Sequence, residues 1–111
     1  MMEHRIEGTR VVLKGGHVVT FDLPVWAVLP VGDLLIVTLA PSGADEQNVY
    51  ALGPDGAHRW RIHRHPPSWF PGPYLSVSPG PAGVLHAIHS SGVTYDVEAE
   101  TGRVLGKMLT K

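Results

Sequence analysis

The sequence predicts an all-β domain: an antiparallel meander of two blade-like units behind an N-terminal hairpin, folded as a compact sandwich or a partial barrel. Three observations predict it. Thirteen glycines and ten prolines are spread along 111 residues and leave no piece that carries a three-turn helical stripe. The pieces between them are rich in Val, Ile, Leu, Thr and Tyr, which suit a pleated surface. Finally, a hairpin recurs. Asn48–Ile62 returns in outline as Gly92–Met108, with Tyr50 matched to Tyr95, Leu52 to Val97, Gly56 to Gly102 and Ile62 to Met108. The spacing is 45 residues at the tyrosines and 46 at the glycines, the period of a four-stranded propeller blade, roughly 40–45 residues. The length is that of one domain. It divides into a hairpin at 10–22, a first unit at 25–62 and a second at 74–109.

The elements follow in order. Arg10–Lys14 and His17–Phe21 flank Gly15-Gly16. Two consecutive glycines supply the positive φ angles of a two-residue type I′ turn, which sets Leu13 opposite Val18 and Val12 opposite Val19. Val25–Leu29 and Asp33–Leu39 are strands joined by Pro30-Val31-Gly32. The second is apolar on both faces, as a strand is when both faces of its sheet are covered, so it belongs at the centre. Ala40–Gln47 is a polar loop. Val49–Leu52 and Ala57–Ile62 pair about Gly53-Pro54-Asp55-Gly56, where Pro54 presets φ and Gly56 accepts the left-handed position. Trp60 and Ile62 share one side of the return strand. The prolines of His63–Pro73 forbid a helix or a central strand. Tyr74–Ser78 resumes a strand, Val84–His89 and Val93–Val97 pair about Ser90-Ser91-Gly92, and the last strand runs from Arg103 to about Leu109.

Composition narrows the function. There is no cysteine, which excludes disulfides, thiolate metal sites and a cysteine nucleophile. A formal net charge of −1 gives no footprint for nucleic acid or an anionic membrane. The longest apolar run, Leu34–Val37, is far too short to span a bilayer. The N-terminus leads into no apolar stretch, so no signal peptide is expected and the cytoplasm is the expected compartment.

Asn48–Trp60 ("NVYALGPDGAHRW") resembles the blade repeat of the quinoprotein (PQQ-type) β-propellers, an apolar strand with an aromatic, a turn with Asp and Gly, and a strand ending in Trp. Val93–Gly106 is similar to the same repeat, with Asp96, Thr101 and Gly102 at its turn positions and Gly106 in the Trp slot. The resemblance implies a structural role for Trp60, docked against the next unit, and for the turn residues Gly56 and Gly102. It implies no cofactor: in that family the cofactor sits inside a closed ring of many blades, which two units cannot form. The whole chain also resembles a group of short bacterial all-β proteins with an early "DLLIV" strand and a terminal "TG" turn.

Candidate sites are few. His63 and His65 would point to one side of an extended chain, yet no third metal ligand is near, and a solvated loop entry is the better reading. His86 and His89, three apart in a strand, face opposite sides. Ser90 and Ser91 near His89, with Asp96 downstream, suggest a triad, but Ser90-Ser91-Gly92 suits a turn. Gly15-Gly16 precedes a strand, not the helix N-terminus a phosphate loop needs. The proline-rich segment offers Trp69, Phe70 and Tyr74 as rigid interface anchors; alternatively Trp69 and Phe70 fold back as a lid over an open end of the core. Two blade-like sheets leave a bare face or edge, which a two-fold dimer would cover. The expected function is therefore a non-catalytic interaction module that self-associates, with an unidentified protein partner as a further possibility and no metal or cofactor. The alternatives are a small metal-dependent or hydrolytic enzyme using the histidines, and an immunity- or antitoxin-type inhibitory partner.

Overall fold

The computed structural model describes residues 4–42, 45–63 and 72–107. They form three antiparallel sheets, with no helix among them and no closed barrel. The N-terminal sheet has the order β1 (His4–Glu7), β2 (Arg10–Leu13), β3 (Val18–Thr20). The middle sheet is a meander of β4 (Val25–Val31), β5 (Leu34–Leu39), β6 (Val49–Leu52) and β7 (His58–Arg61). The C-terminal sheet repeats that meander with β8 (Tyr74–Pro79), β9 (Val84–His89), β10 (Thr94–Glu98) and β11 (Val104–Lys107).

The middle sheet is the central layer. Leu35, Val37 and Leu39 of β5, with Leu52, pack against Val11, Leu13, Val19 and Phe21 of the N-terminal sheet. The alternate residue Ile36, with Val49, Ala51 and Trp60, packs against Leu85, Ala87, Tyr95 and Val97 of the C-terminal sheet. The strand expected to be covered on both faces is so covered. Each fully buried Leu, Ile or Val here contributes about 1.5–3 kcal/mol relative to exposure.

Three expectations need correction. The Gly15-Gly16 turn is a three-residue loop: Gly16 N–H donates to Leu13 O (3.1 Å) and Leu13 N–H to His17 O (2.7 Å). Val12 then pairs with Val18 and Val11 with Val19, one residue away from the two-residue register. A one-residue slip turns every side chain over. The observed register is the one that buries Val11, Leu13, Val19 and Phe21 together. Pro30 lies inside β4, not in a turn; β4 is an edge strand, where a missing N–H is tolerated. Lastly, the N-terminal hairpin gains a third strand, β1, and becomes a sheet of its own.

The meanders also differ in one row. Leu29, Ile36, Ala51 and Trp60 lie side by side across the middle sheet and face the C-terminal one. The counterpart row in the C-terminal sheet is Ser78, His86, Asp96 and Gly106. It faces away from the middle sheet, and it is polar.

Candidate interaction surface

Trp69, Phe70 and His65 lie outside the described residues. The ends of their segment are tied to the C-terminal sheet. His63 N–H donates to Gly102 O (2.9 Å), and Ser90 N–H donates to Pro73 O (3.0 Å). Tyr74, expected at a contact surface, is instead wholly buried (0 % exposed). It opens β8 opposite His89, on the face that meets the middle sheet. Its ring stands edge-on to His89 (5.3 Å between centroids) and Tyr95 (6.2 Å). Burial, followed by the neighbouring Tyr95, pushes its phenol well above the ordinary value.

The sequence did not reveal the clamp beside it. Asn48, completely buried, donates through Nδ2 to Leu39 O (3.0 Å) and Tyr74 O (2.9 Å), and its Oδ1 accepts from Tyr74 N–H (2.8 Å). One amide thus joins the middle sheet to the start of the C-terminal sheet. The available signal was a lone Asn before the apolar run Val49–Leu52, in a place where turn chemistry is the ordinary expectation.

The other candidates have structural partners. Ser91 N–H donates to His89 Nδ1 (3.1 Å), which makes Nδ1 an acceptor and assigns the proton to Nε2, donating to Gly72 O (2.9 Å). Both ring nitrogens of this buried histidine are therefore engaged in holding backbone and turn. His86 faces the opposite side, as its spacing implies, with Nε2 3.6 Å from Asp96 Oδ1. His63 is exposed. Among the described residues no group of three His, Cys, Asp or Glu is placed to hold a metal ion.

Trp60 docks on the next sheet. Its Nε1–H donates to Ala99 O (2.9 Å), and its ring lies flush on Gly102, where an added Cβ would stand 2.7 Å from Cδ2. Gly102 has φ +76°. Gly56, at φ +83° in the matching turn, is approached by Val19 and Leu13 of the N-terminal sheet. In both cases a turn glycine admits the last strand of the preceding sheet. Within the Gly56 turn, the Ala57 N–H (3.1 Å) holds the exposed Asp55 carboxyl below its usual range.

Two surface features remain. An open depression of about 320 Å³ is lined by Asp22, Ser42, Asp45, Glu46 and Arg61 among others. Arg61 is used there within the chain: it pairs with Asp45 (3.1 Å), donates to Gln47 O (2.8 Å) and lies over the Tyr50 ring (5.1 Å). The other feature is apolar. Val25 pairs with Leu39 and Ala27 with Thr38, so Trp26 is an extra residue thrown outward, 61 % exposed. Tyr74 and Ser76 bracket Leu75 in the same way, and it is 39 % exposed. Such bulges re-aim a side chain out of the ladder. Both sit on the first strand of a four-stranded sheet, and those strands, β4 and β8, touch. Sequence reasoning missed Trp26 because a Trp between Val25 and Ala27 looks like core, and a bulge is not visible in the alternation.

Among the described residues no helix is long and apolar enough to cross a membrane. No curated protein matches the sequence. The model of one family, a domain of unknown function (DUF7957), matches residues 1–109; the chain belongs to that family.

Proposed function

We propose that this domain is a non-catalytic interaction module that self-associates, and that the edge carrying Trp26 and Leu75 is part of its contact surface. The observation that carries the reading is Trp26, a large rigid aromatic presented to solvent by a bulge on an edge strand. Exposed tryptophans of this kind bury much area at little cost in rotamer entropy, and they dominate the energetics of contacts. Trp69 and Phe70 are further candidate anchors in the same reading; Tyr74 is not. Sedimentation equilibrium at micromolar concentration tests it. The expected result is a species heavier than the 12.0 kDa chain, shifted toward 12.0 kDa by Trp26→Ala. A wild-type chain that stays at 12.0 kDa at all concentrations removes the proposal. Self-association unchanged by Trp26→Ala removes this edge from it.

A further inference from the structure

Among the described residues the N-terminal sheet has three strands where the other two sheets have four. The turn glycine of each four-stranded sheet rests on the last strand of the sheet before it: Gly102 on Trp60 of β7, and Gly56 on Val19 at the centre of β3. This aligns β3 with β7, β2 with β6 and β1 with β5. The first strands β4 and β8 then have no counterpart in the N-terminal sheet, and β1 is its edge. The side chains of β1 record the difference. Ile6 pairs with Val11, which pairs with Val19, so it lies on the face that packs on the middle sheet. Val11 and Val19 are buried there, yet Ile6 is 42 % exposed. Trp26 is close by: the N–H of its neighbour Val25 donates to the carbonyl of Gly8 (2.8 Å), directly after β1.

We propose that the strand completing this sheet is β1 of a second copy, paired antiparallel about a two-fold axis through Ile6. This rests on the self-association proposed above and assigns it a register. Residues directly opposed in an antiparallel pair share a face, so the axis must pass through a residue and not between two. Centred on Arg5, it would oppose Arg5 to itself; centred on Glu7, it would oppose Glu7 to itself. Centred on Ile6, it sets Ile6 against Ile6 and Arg5 against Glu7 twice. The strand His4-Arg5-Ile6-Glu7 is self-complementary in that register alone. Arg5 and Glu7 already pair within one strand (2.6 Å), and Arg10 reaches the same Glu7 (2.9 Å). Pairing two copies turns this into an alternating cluster on the outer face, while the two Ile6 side chains meet on the inner face. Edge-to-edge strand addition of this type closes the contact, and no further copy can join at β1.

Charge reversal tests the register. In the full chain, Arg5→Glu sets Glu against Glu at both opposed positions, and Glu7→Arg sets Arg against Arg. Each single variant should weaken the dimer by about tenfold or more in sedimentation equilibrium. An equimolar mixture of the two should form a heterodimer at near wild-type affinity, because each strand then complements the other. No rearrangement within one chain reproduces that result. The chain has no cysteine, so Ile6→Cys gives one thiol per copy. Opposed residues have Cα atoms about 4.5–5.5 Å apart, within disulfide range, and mild oxidation should give a covalent dimer. A wild-type monomer at every concentration overturns both this inference and the self-association it rests on. A wild-type dimer indifferent to both reversals, and not captured by Ile6→Cys, overturns the β1 contact and leaves self-association standing.

Discussion

Trp60 shows how far one residue's role is set by a distant glycine. Its ring occupies the space a side chain at position 102 would need, and its indole N–H satisfies the carbonyl of Ala99. Trp60→Ala should cost about 3–5 kcal/mol, as large-to-small changes in cores do. Gly102→Ala should cost about 1–3 kcal/mol from its positive φ alone, and more from the collision with the ring. Urea titration of both variants and of Gly102→Ala in a Trp60→Phe background separates the two terms. A smaller cost of the alanine beside the smaller ring marks direct contact; equal costs would mean that φ strain accounts for all of it. The role of Trp60 was legible because the hairpin repeats and the Trp is the conspicuous member of it. That of Tyr74 was not. Among prolines and aromatics it looks like an exposed anchor, and only its pairing with His89 puts it in the core.

Strands are legible where their side-chain pattern has one physical solution. β5 is apolar on both faces, and a covered central strand is the only stable place for it. Pattern fails where turn geometry decides. Gly15-Gly16 fits a two-residue loop and a three-residue loop equally well on local grounds, and burial of Val11, Leu13, Val19 and Phe21 chooses between them. β1 was missed because four residues with a histidine, two opposite charges and the single apolar Ile6 are too few to show an alternation. Asn48 is the element-scale counterpart of a missed contact, since it links strands 26 residues apart. Asn48→Ala leaves the Tyr74 N–H and two carbonyls to find other partners in a buried place. Each unmet group costs about 1–3 kcal/mol, so a loss of about 3 kcal/mol or more is expected in thermal or urea unfolding. Asn48→Asp should not rescue it, because a carboxylate can accept from Tyr74 N–H but cannot donate to the carbonyls. A cost below about 1 kcal/mol for Asn48→Ala would show that the two sheets hold together without the clamp.

The whole molecule is a stack of three sheets with tyrosine phenols at its seams. All three tyrosines are raised above the ordinary value, chiefly by burial; at Tyr50, Arg61 offsets part of the effect. An acid whose folded pKa exceeds its unfolded one keeps more protons in the folded state as pH rises between the two. Stability is then unaffected below the ordinary phenol pKa of about 10 and falls with pH above it. The domain should therefore hold its unfolding midpoint from neutrality to about pH 9.5 and lose it steeply beyond. Phenolate absorbance should appear together with loss of the near-ultraviolet dichroism. Phenolate formation near pH 10 in a chain that remains folded would contradict the packing of Tyr74 and Tyr95.

The polar row of the C-terminal sheet determines what the stack cannot become. Wherever Leu29, Ile36, Ala51 and Trp60 occur, another sheet sits on them; Ser78, His86, Asp96 and Gly106 stand in the same places at the end of the chain. Restoring the apolar set there would create a sticky terminus. If it docked on the opposite end of another copy, the contact would be head-to-tail and would not close, and such contacts grow into fibres. His86→Ile with Asp96→Ala and Gly106→Trp should thus turn a bounded particle into a polymer, seen as light scattering that rises with concentration and as filaments by electron microscopy. Three polar side chains and a glycine thus act as a stop signal for growth, and the polarity at the last sheet is as much a determinant of size as the cores are of shape.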